Sequence, residues 1–187
     1  MHFRTIRAAR TVADQAHKAA GQVRKGSGAA YITHCAGVAR RIRDVGGELP
    51  AVLAAYLHDT LEDTALTKEE ITRLFGSETA ALVEQVSEIS RPEDGNRATR
   101  KAIDRDHYAS GSKWAQSIKL ADIDDNLSDV TTLPPSFVPV YLREKADLVN
   151  ALTRGSAALQ GMAMNTIAAH RPDDQDNALP ARWHSNA

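Results

Sequence analysis

Apolar residues recur at helical spacing along most of the chain. In the stretch RTIRAARTVADQAHKAAGQV they fall on one face, at Ile6, Ala9, Val12, Ala13, Ala16 and Ala20. This spacing is typical of an amphipathic helix, and the alternation of β-branched residues that marks strands is scarce. The pattern therefore predicts a single all-α domain, a helical bundle of about seven to nine helices.

Turn and cap residues divide this pattern into successive helices. The first helix is predicted from Thr5 to about Val23, and the glycine-rich stretch RKGSGAA after it must be a loop. A further helix is predicted to run unbroken from Pro50 through Asp63. Other residues expected to bound or cap helices are Gly46, Thr67 with Glu70 as a capping box, Ser77, Gly111 and Ser136. The domain is expected to span residues 1–170, and residues 171–187 read as a loose polar tail.

Composition narrows the class of protein. The 187 residues are 42% hydrophobic and 25% charged with a net charge of −1, which argues against nucleic acid or an anionic membrane as partner. No apolar run is long enough to span a bilayer, and no signal core opens the chain. Cys35 is the one cysteine, so an internal disulfide is impossible. A cytoplasmic protein is expected, and composition leaves its oligomeric state open.

Four ionisable side chains stand where the pattern predicts a buried helix. In AAYLHDTLEDT an apolar run leads directly into His58-Asp59, and Glu62-Asp63 follow one helical turn later. Burying an unpaired carboxylate is expensive, and a divalent cation removes that cost. Mixed nitrogen and oxygen ligands favour Mn²⁺, Fe²⁺ or Zn²⁺ over Ca²⁺. Glu62 and Asp63 would then lie where they can transfer protons or orient a water molecule.

The predicted loop before the second helix adds cationic and flexible groups. QVRKGSGAAY offers Arg24 and Lys25, followed by backbone amides that suit a polyphosphate. Basic glycine-rich turns are common, so the prediction of a phosphate-binding loop depends mainly on its position shortly before His34. On a later predicted helix, Asp122 and Asn126 are four residues apart and share a face.

Taken together, these motifs resemble the HD-domain hydrolases of the RelA/SpoT type, which act on (p)ppGpp. HKAAGQVRKGSGAAYITH carries the RK-x-x-G and Y-x-x-H parts of the family's first motif, and AAYLHDTLEDT matches its His-Asp box. TKEEITRLFG matches a short capped helix, and KLADIDDN matches the last motif. The four motifs follow the family's order over roughly residues 10–150. The chain resembles the stand-alone small alarmone hydrolases, since it has no room for synthetase or regulatory domains.

The resemblance implies a role for each matching residue. One Mn²⁺, or another divalent transition metal, would be bound by His34, His58, Asp59 and Asp122. Glu62 and Asp63 would be the catalytic acids. The residues implied to contact the nucleotide are Arg24, Lys25, Tyr31, Arg97, Asn126 and Tyr141.

Two departures from the family's pattern bear on the substrate. Ala30 replaces a proline before the loop tyrosine, and ADIDDN places Ile123, Asp124 and Asp125 where the family has a cation and an apolar or aromatic middle. The expected reaction is attack of water on the 3′ phosphorus of (p)ppGpp or (p)ppApp with release of pyrophosphate, and the preferred base is left open.

Two alternatives to this reaction remain from the sequence. An HD-type phosphatase acting on NADPH or a nucleoside monophosphate would release orthophosphate instead of pyrophosphate. A nucleotide sensor without turnover is the other alternative, and the complete ligand set with the intact Glu62-Asp63 pair counts against it.

Overall fold

The computed structural model describes residues 5–170, and helices dominate this range. In chain order they are α1 (Ile6–Ala19), α2 (Ile32–Asp44), α3 (Leu49–Leu57), α4 (Thr60–Asp63), α5 (Lys68–Phe75), α6 (Ser77–Val86), α7 (Arg97–Ser110), α8 (Lys113–Leu127), α9 (Val138–Ala151) and α10 (Ala157–Ala169), with 3-10 turns at Pro92–Asp94 and Val130–Thr132. An isolated antiparallel bridge joins Val23 to Ala30 in the loop between α1 and α2, which carries Arg24 and Lys25 and is called the basic loop below. The all-α prediction is confirmed for the described residues, and the predicted tail lies outside them.

Local signals explain several helix ends. The Thr67 side chain accepts from the Glu70 backbone N–H, and the Glu70 carboxylate accepts from Thr67, so the predicted capping box is present. Gly111 separates α7 from α8 as predicted. The first helix ends earlier than predicted, at Ala19, because Gly21 adopts a φ of 70° and closes the helix end.

Both predicted serine caps are wrong. Gly76 is the N-cap of α6, and its φ of 98° is a conformation that glycine adopts readily and residues with a side chain rarely do. Ser77 is therefore the first residue of the helix. Phe137 is the N-cap of α9, because its N–H closes a turn onto the Pro134 carbonyl at 2.8 Å, and Ser136 lies inside that turn.

The helix predicted from Pro50 through Asp63 is divided in two. α3 ends at Leu57, and His58-Asp59 form a turn before α4. Consecutive residues on a regular helix point about 100° apart, so an unbroken helix would not bring these two side chains together. In the turn, Asp59 Oδ2 lies 3.0 Å from His58 Nε2. The break therefore lets adjacent residues face one point.

Two buried helices, α3 and α8, form the centre of the bundle. All residues from Ala51 to Leu57 of α3 are buried, and this helix packs against α1, α2, α6 and α8. α8 is buried from Ala115 to Asp125 and also packs against α2 and α10. The ends and turns of α2, α3 and α8 thus place polar side chains at the edge of the core. Within the described range, no helix has the length and apolarity needed to cross a membrane.

Candidate metal centre and substrate cleft

Two histidines and two aspartates from three parts of the fold converge at the edge of the core. His34 Nε2 on α2 lies 3.1 Å from His58 Nε2, 3.5 Å from Asp59 Oδ2 and 3.3 Å from Asp122 Oδ1 on α8. His58 Nε2 is 3.6 Å from the same Asp122 oxygen. In the described part of the chain, His34, His58 and Asp59 form a group that could hold a metal ion. The structure thus brings together the four side chains that the sequence analysis proposed as ligands.

Charge balance inside this cluster depends on protons when no cation is bound. Burial opposes protonation of His58, but Asp59 and Asp122 outweigh burial and raise its pKa to about 9. Burial likewise disfavours ionised Asp122, yet Lys119 and the imidazoles hold the pKa of Asp122 well below its ordinary value. Since a metal displaces protons from its ligands, metal binding at this site should release protons.

The donor set fits a divalent transition metal. His58 Nδ1–H donates to the Ala55 carbonyl at 3.0 Å, and His34 Nδ1–H donates to Asp125 Oδ2 at 2.8 Å. With Nδ1 protonated in each ring, both Nε2 lone pairs are free to face the carboxylates. Two imidazole nitrogens with two carboxylate oxygens suit Mn²⁺, Fe²⁺ or Zn²⁺.

Asp125 joins the candidate metal centre to the basic loop. Besides His34, Asp125 accepts from Arg24 Nη1 at 2.5 Å and from Arg41 Nη1 at 2.7 Å. Burial works to raise its pKa, but His34 and Arg24 outweigh burial and lower it to about 2. Gly37 makes room for this carboxylate, since a Cβ there would collide with Asp125 Oδ1.

This role of Asp125 was not predicted from the sequence, where the residue marks only a change in substrate recognition. The available signal was spacing, because residues three apart on a helix share a face and Asp125 follows Asp122 by three positions. Its neighbour Asp124 faces away from the metal centre and binds Arg41 Nε and Thr166 Oγ1, each at 2.7 Å. The run Asp124-Asp125 is therefore a buried network that ties α8 to α2 and α10.

Tyr31 contacts the cluster directly. Its hydroxyl donates to Asp59 Oδ2 at 2.6 Å, and its ring lies 5.4 Å from the His34 ring between centroids. On the other side, the ring of His17 is 4.5 Å away. His17 is 1% exposed, its Nδ1 is hydrogen-bonded to Gln22 Oε1, and its Nε2 has no partner among the described residues. No role is predicted for His17 from the sequence, although it follows the buried Ala13 by four residues and so lies on the same face of α1.

Glu62 and Asp63 face different surroundings. Glu62 Oε1 accepts from the Glu88 backbone N–H at 2.9 Å. Although part of the Glu62 side chain reaches solvent, protein packed around its carboxyl group and the Asp59 charge outweigh Lys119 and raise its pKa to about 7. Asp63 is exposed and lines a cleft beside the candidate metal centre.

This first cleft has a volume of about 670 Å³ and also contacts His34. All six residues predicted to contact a nucleotide line it, namely Arg24, Lys25, Tyr31, Arg97, Asn126 and Tyr141. Their side chains are not equally free, because Arg24 already donates to Asp125, Asp129 and Ser128.

Two further cleft residues are also engaged. Asn126 Nδ2 donates to Asp122 Oδ1 at 2.6 Å, and Arg97 pairs with Glu144 at 2.7 Å. Lys25 is exposed. An incoming phosphate would therefore meet Lys25 more readily than Arg24.

Known proteins place the chain in a family. The profile of the HD domain family matches residues 9–116, and the chain belongs to this family. Among relatives, it is 33% identical to the guanosine-3′,5′-bis(diphosphate) 3′-pyrophosphohydrolase MESH1 of Xenopus tropicalis, over 70% of this chain and 75% of that protein. The resemblance to RelA/SpoT-type hydrolases is thereby confirmed.

Two further comparisons differ in what they cover. The probable GTP diphosphokinase RSH3 of Arabidopsis thaliana is 37% identical over 89% of this chain, which spans about a quarter (24%) of that longer protein. The solved structure of a metazoan ortholog of SpoT that hydrolyzes ppGpp superposes with a TM-score of 0.77, at 24% identity and over 88% of this chain and 94% of that one. This second comparison shows a shared fold.

Proposed function

We propose that this protein is a metal-dependent 3′-pyrophosphohydrolase of alarmone nucleotides, (p)ppGpp or (p)ppApp. The observation that carries the proposal is the convergence of two imidazoles and two carboxylates beside a cleft with cationic walls. The similarity to MESH1, of which this chain covers 75%, supports the same reaction. The chemistry implied is hydrolysis of a phosphate ester in a site that offsets the charge of a polyphosphate.

The proposed cofactor is one Mn²⁺ held by His34, His58, Asp59 and Asp122. Two carboxylates and two neutral imidazoles match the charge of a divalent cation without a further counter-ion. Bound there, the cation would supply Lewis acidity and favour a water nucleophile near neutral pH. The Tyr31 hydroxyl and Asp125 would keep Asp59 and His34 in place, since each donates or accepts a hydrogen bond with a ligand.

Proton transfer is assigned to the acidic pair. The pKa of Glu62 is raised to about 7, so its carboxyl group exchanges protons near neutral pH and suits general acid–base catalysis. In the reaction, water attacks the 3′ phosphorus and gives up a proton to Glu62. The bond between this phosphorus and the 3′ oxygen breaks, and the 3′ oxygen takes up a proton from bulk water. Asp63, which lines the first cleft, would orient the water or the sugar.

Substrate contacts follow from the cleft walls. Lys25 and Arg97 would meet the phosphates of the nucleotide, and Tyr141 and Asn126 would contact its base or ribose. Arg24 would act mainly by fixing the loop, because most of its donors are bonded to α8 and the turn after it. The predicted partner is a small nucleotide, and neither nucleic acid nor a membrane is predicted as a partner. The predicted location of the protein is the cytoplasm.

A substrate panel tests the proposal. Purified protein loaded with Mn²⁺ is incubated with ppGpp, pppGpp, ppApp, NADPH and nucleoside monophosphates, and pyrophosphate and orthophosphate are measured separately. We expect pyrophosphate from a 3′-pyrophosphorylated nucleotide and its loss in chelator. Orthophosphate from NADPH or a monophosphate alone would establish the phosphatase alternative, and a ligand recovered unchanged would establish a sensor.

A further inference from the structure

A second cleft adjoins the first. It has a volume of about 400 Å³, and Arg97 and Tyr141 line both clefts. Its walls come mainly from α7 and α9, with Lys119 from α8 and Glu88 from the segment before α7. Its cationic side chains are Arg97, Lys101, Arg105, Lys119 and Lys145. No residue that the sequence analysis proposed for substrate binding lies in it except the two shared ones.

A buried hydroxyl and a buried ammonium mark the inner part of this cleft. Tyr108 is 4% exposed, and its hydroxyl has no hydrogen-bond partner among the described residues. Lys119 is 8% exposed, and its ammonium lies 4.6 Å from the centroid of the Tyr108 ring. A buried hydroxyl without a partner is unfavourable in the free protein, so it points to a ligand that would complete the site.

Lys145 adds a cation with no counter-ion in the described structure. Its ammonium lies 5.1 Å from the centroid of the Tyr141 ring, and no ion pair to a carboxylate is present within residues 5–170. Burial lowers the pKa of Lys145, Asp122 opposes this shift, and repulsion by Lys119 and Lys101 adds to it. An anion placed between Lys119 and Lys145 would relieve this repulsion.

The carboxylates of the cleft are already engaged. Glu88 pairs with Lys101 at 2.7 Å, and Glu144 pairs with Arg97 at 2.7 Å. Asp104 is buried and accepts from the backbone N–H groups of residues 89 and 90 at 3.0 and 2.9 Å. Asp147 is exposed. Lys145 is therefore the lysine of the cleft without a carboxylate partner among the described residues, and Lys119 shares its charge with Asp122 at 3.1 Å.

Both clefts adjoin the candidate metal centre: His34 lines the first cleft, and Lys119, which pairs with Asp122, lines the second. Lys119 Nζ is 3.1 Å from Asp122 Oδ2, and Glu88, a residue that lines the second cleft, donates its backbone N–H to Glu62. Asp63 lines the first cleft instead. A phosphorus atom at the metal centre would therefore have the first and the second cleft within reach.

We propose that the second cleft binds the 3′-pyrophosphoryl group of the substrate and then the pyrophosphate product, through Lys119, Lys145 and the Tyr108 hydroxyl. The inference rests on the proposed function and divides the substrate between two clefts. The nucleotide occupies the first cleft, and its 3′ chain passes the metal centre into the second. After the bond to the 3′ oxygen breaks, pyrophosphate carrying the oxygen of the incoming water stays in the second cleft.

The test compares Lys145→Met and Tyr108→Phe with Lys113→Met as a matched control. Lys113 is an exposed lysine at the start of α8, stacks over Trp114 and lines neither cleft. Pyrophosphate is titrated into metal-free protein by calorimetry, with orthophosphate as a second probe. We expect Lys145→Met to weaken pyrophosphate binding by about tenfold or more, as for a lost charge-assisted contact, and Lys113→Met to leave it unchanged.

Kinetics provide the second measurement. The ratio of kcat/KM for a nucleotide with a 3′-pyrophosphate to that for the same nucleotide with a 3′-monophosphate should fall about tenfold in Lys145→Met. The shorter substrate does not reach the second cleft, so its own kcat/KM should hold. An unchanged ratio together with unchanged pyrophosphate affinity would overturn the inference and leave the proposed function intact.

The two proposals fail in different ways. If the wild-type protein releases no pyrophosphate from any nucleotide, the proposed function is wrong. The titration of metal-free protein then decides the second cleft alone. Pyrophosphate binding that is lost in Lys145→Met supports an anion site there, and equal affinity in both proteins refutes it. Circular dichroism confirms that each variant is folded.

Discussion

Replacing Asp125 by asparagine tests a residue that supports the candidate metal centre without being one of its proposed ligands. Asp125 accepts hydrogen bonds from His34, Arg24 and Arg41 at 2.8, 2.5 and 2.7 Å. The substituted asparagine would keep the size of the side chain but lose the charge and one acceptor oxygen. We therefore expect Asp125→Asn to weaken both the fold and the orientation of the His34 ring.

The loss of metal affinity and the loss of folding stability each have an expected magnitude. Loss of a carboxylate that orients a histidine ligand typically lowers metal affinity about 10- to 100-fold, which is about 1.4–2.7 kcal/mol. Independently, the pKa of Asp125 falls from an ordinary 3.8 to about 2. At about 1.4 kcal/mol per pH unit, this difference corresponds to about 2 kcal/mol of stabilisation by the ionised carboxylate. This second figure concerns the free energy of unfolding, whereas the first concerns the free energy of metal binding.

The sign of the pH dependence follows from the lowered pKa. Because the folded protein holds the Asp125 proton less tightly than the unfolded chain does, this stabilisation is complete above about pH 4. It is lost as the pH falls through about 2. At neutral pH, metal-free Asp125→Asn should therefore melt about 4–8 °C below the wild-type protein, and the difference should shrink in acid.

Calorimetric titration with Mn²⁺ and thermal melts of the metal-free protein measure the two effects. Asp129→Asn is the matched control, since Asp129 binds Arg24 Nε at 2.8 Å and has no hydrogen bond to His34. We expect this control to keep the Mn²⁺ affinity of the wild-type protein. Equal Mn²⁺ affinity in Asp125→Asn and Asp129→Asn would refute the assignment of Asp125 to His34.

Three further changes probe the same centre. Gly37→Ala places a Cβ against Asp125 Oδ1, so it should displace that carboxylate and weaken Mn²⁺ binding as Asp125→Asn does, as seen by titration. Tyr31→Phe removes the 2.6 Å hydrogen bond to Asp59 and should cost about 1.5–3 kcal/mol of stability in metal-free protein, measured by urea unfolding. Glu62→Gln should reduce kcat about 10²- to 10⁴-fold while Mn²⁺ affinity holds. Because the pKa of Glu62 is raised from 4.5 to about 7, its ionisation costs stability increasingly across this range and fully above it. Metal-free Glu62→Gln should therefore gain thermal stability over the wild-type protein as the pH rises from 4.5 to 7, and keep that gain above pH 7.

Local patterns account for the parts of the fold that the sequence could predict. Helical spacing, a capping box and a separating glycine each depend on a few neighbouring residues, so α1, α5 and the α7–α8 boundary could be inferred. The ligand residues could be proposed because burial of His58-Asp59 demands a cation and because the remaining motifs match a family. The break between α3 and α4 could not be predicted, since the apolar period alone favours an unbroken helix.

Contacts between distant segments were the part that local patterns could not supply. Arg24 lies about a hundred residues from Asp125, and the sequence offers no means of pairing them. The same limit applies to the second cleft, whose lysines Lys119 and Lys145 come from α8 and α9 and meet only after the bundle packs. A cation at the surface of a predicted helix reads as solvated until the facing helix is known.

The acidic run of α8 shows what packing adds to a motif. The sequence predicts Asp122 as a metal ligand and Asp124 and Asp125 only as a change in substrate recognition, and all three are buried, at 4%, 6% and 7% exposed. Burying three carboxylates within four residues requires matching cations, and Lys119, Arg41 and Arg24 each lie within 3.1 Å of one of them. The departure from the family's pattern at Asp124 and Asp125 is therefore balanced by arginines on α2 and in the basic loop. Since Asp125 binds both His34 and Arg24, one carboxylate couples the orientation of a candidate metal ligand to the position of the basic loop, which lines the first cleft.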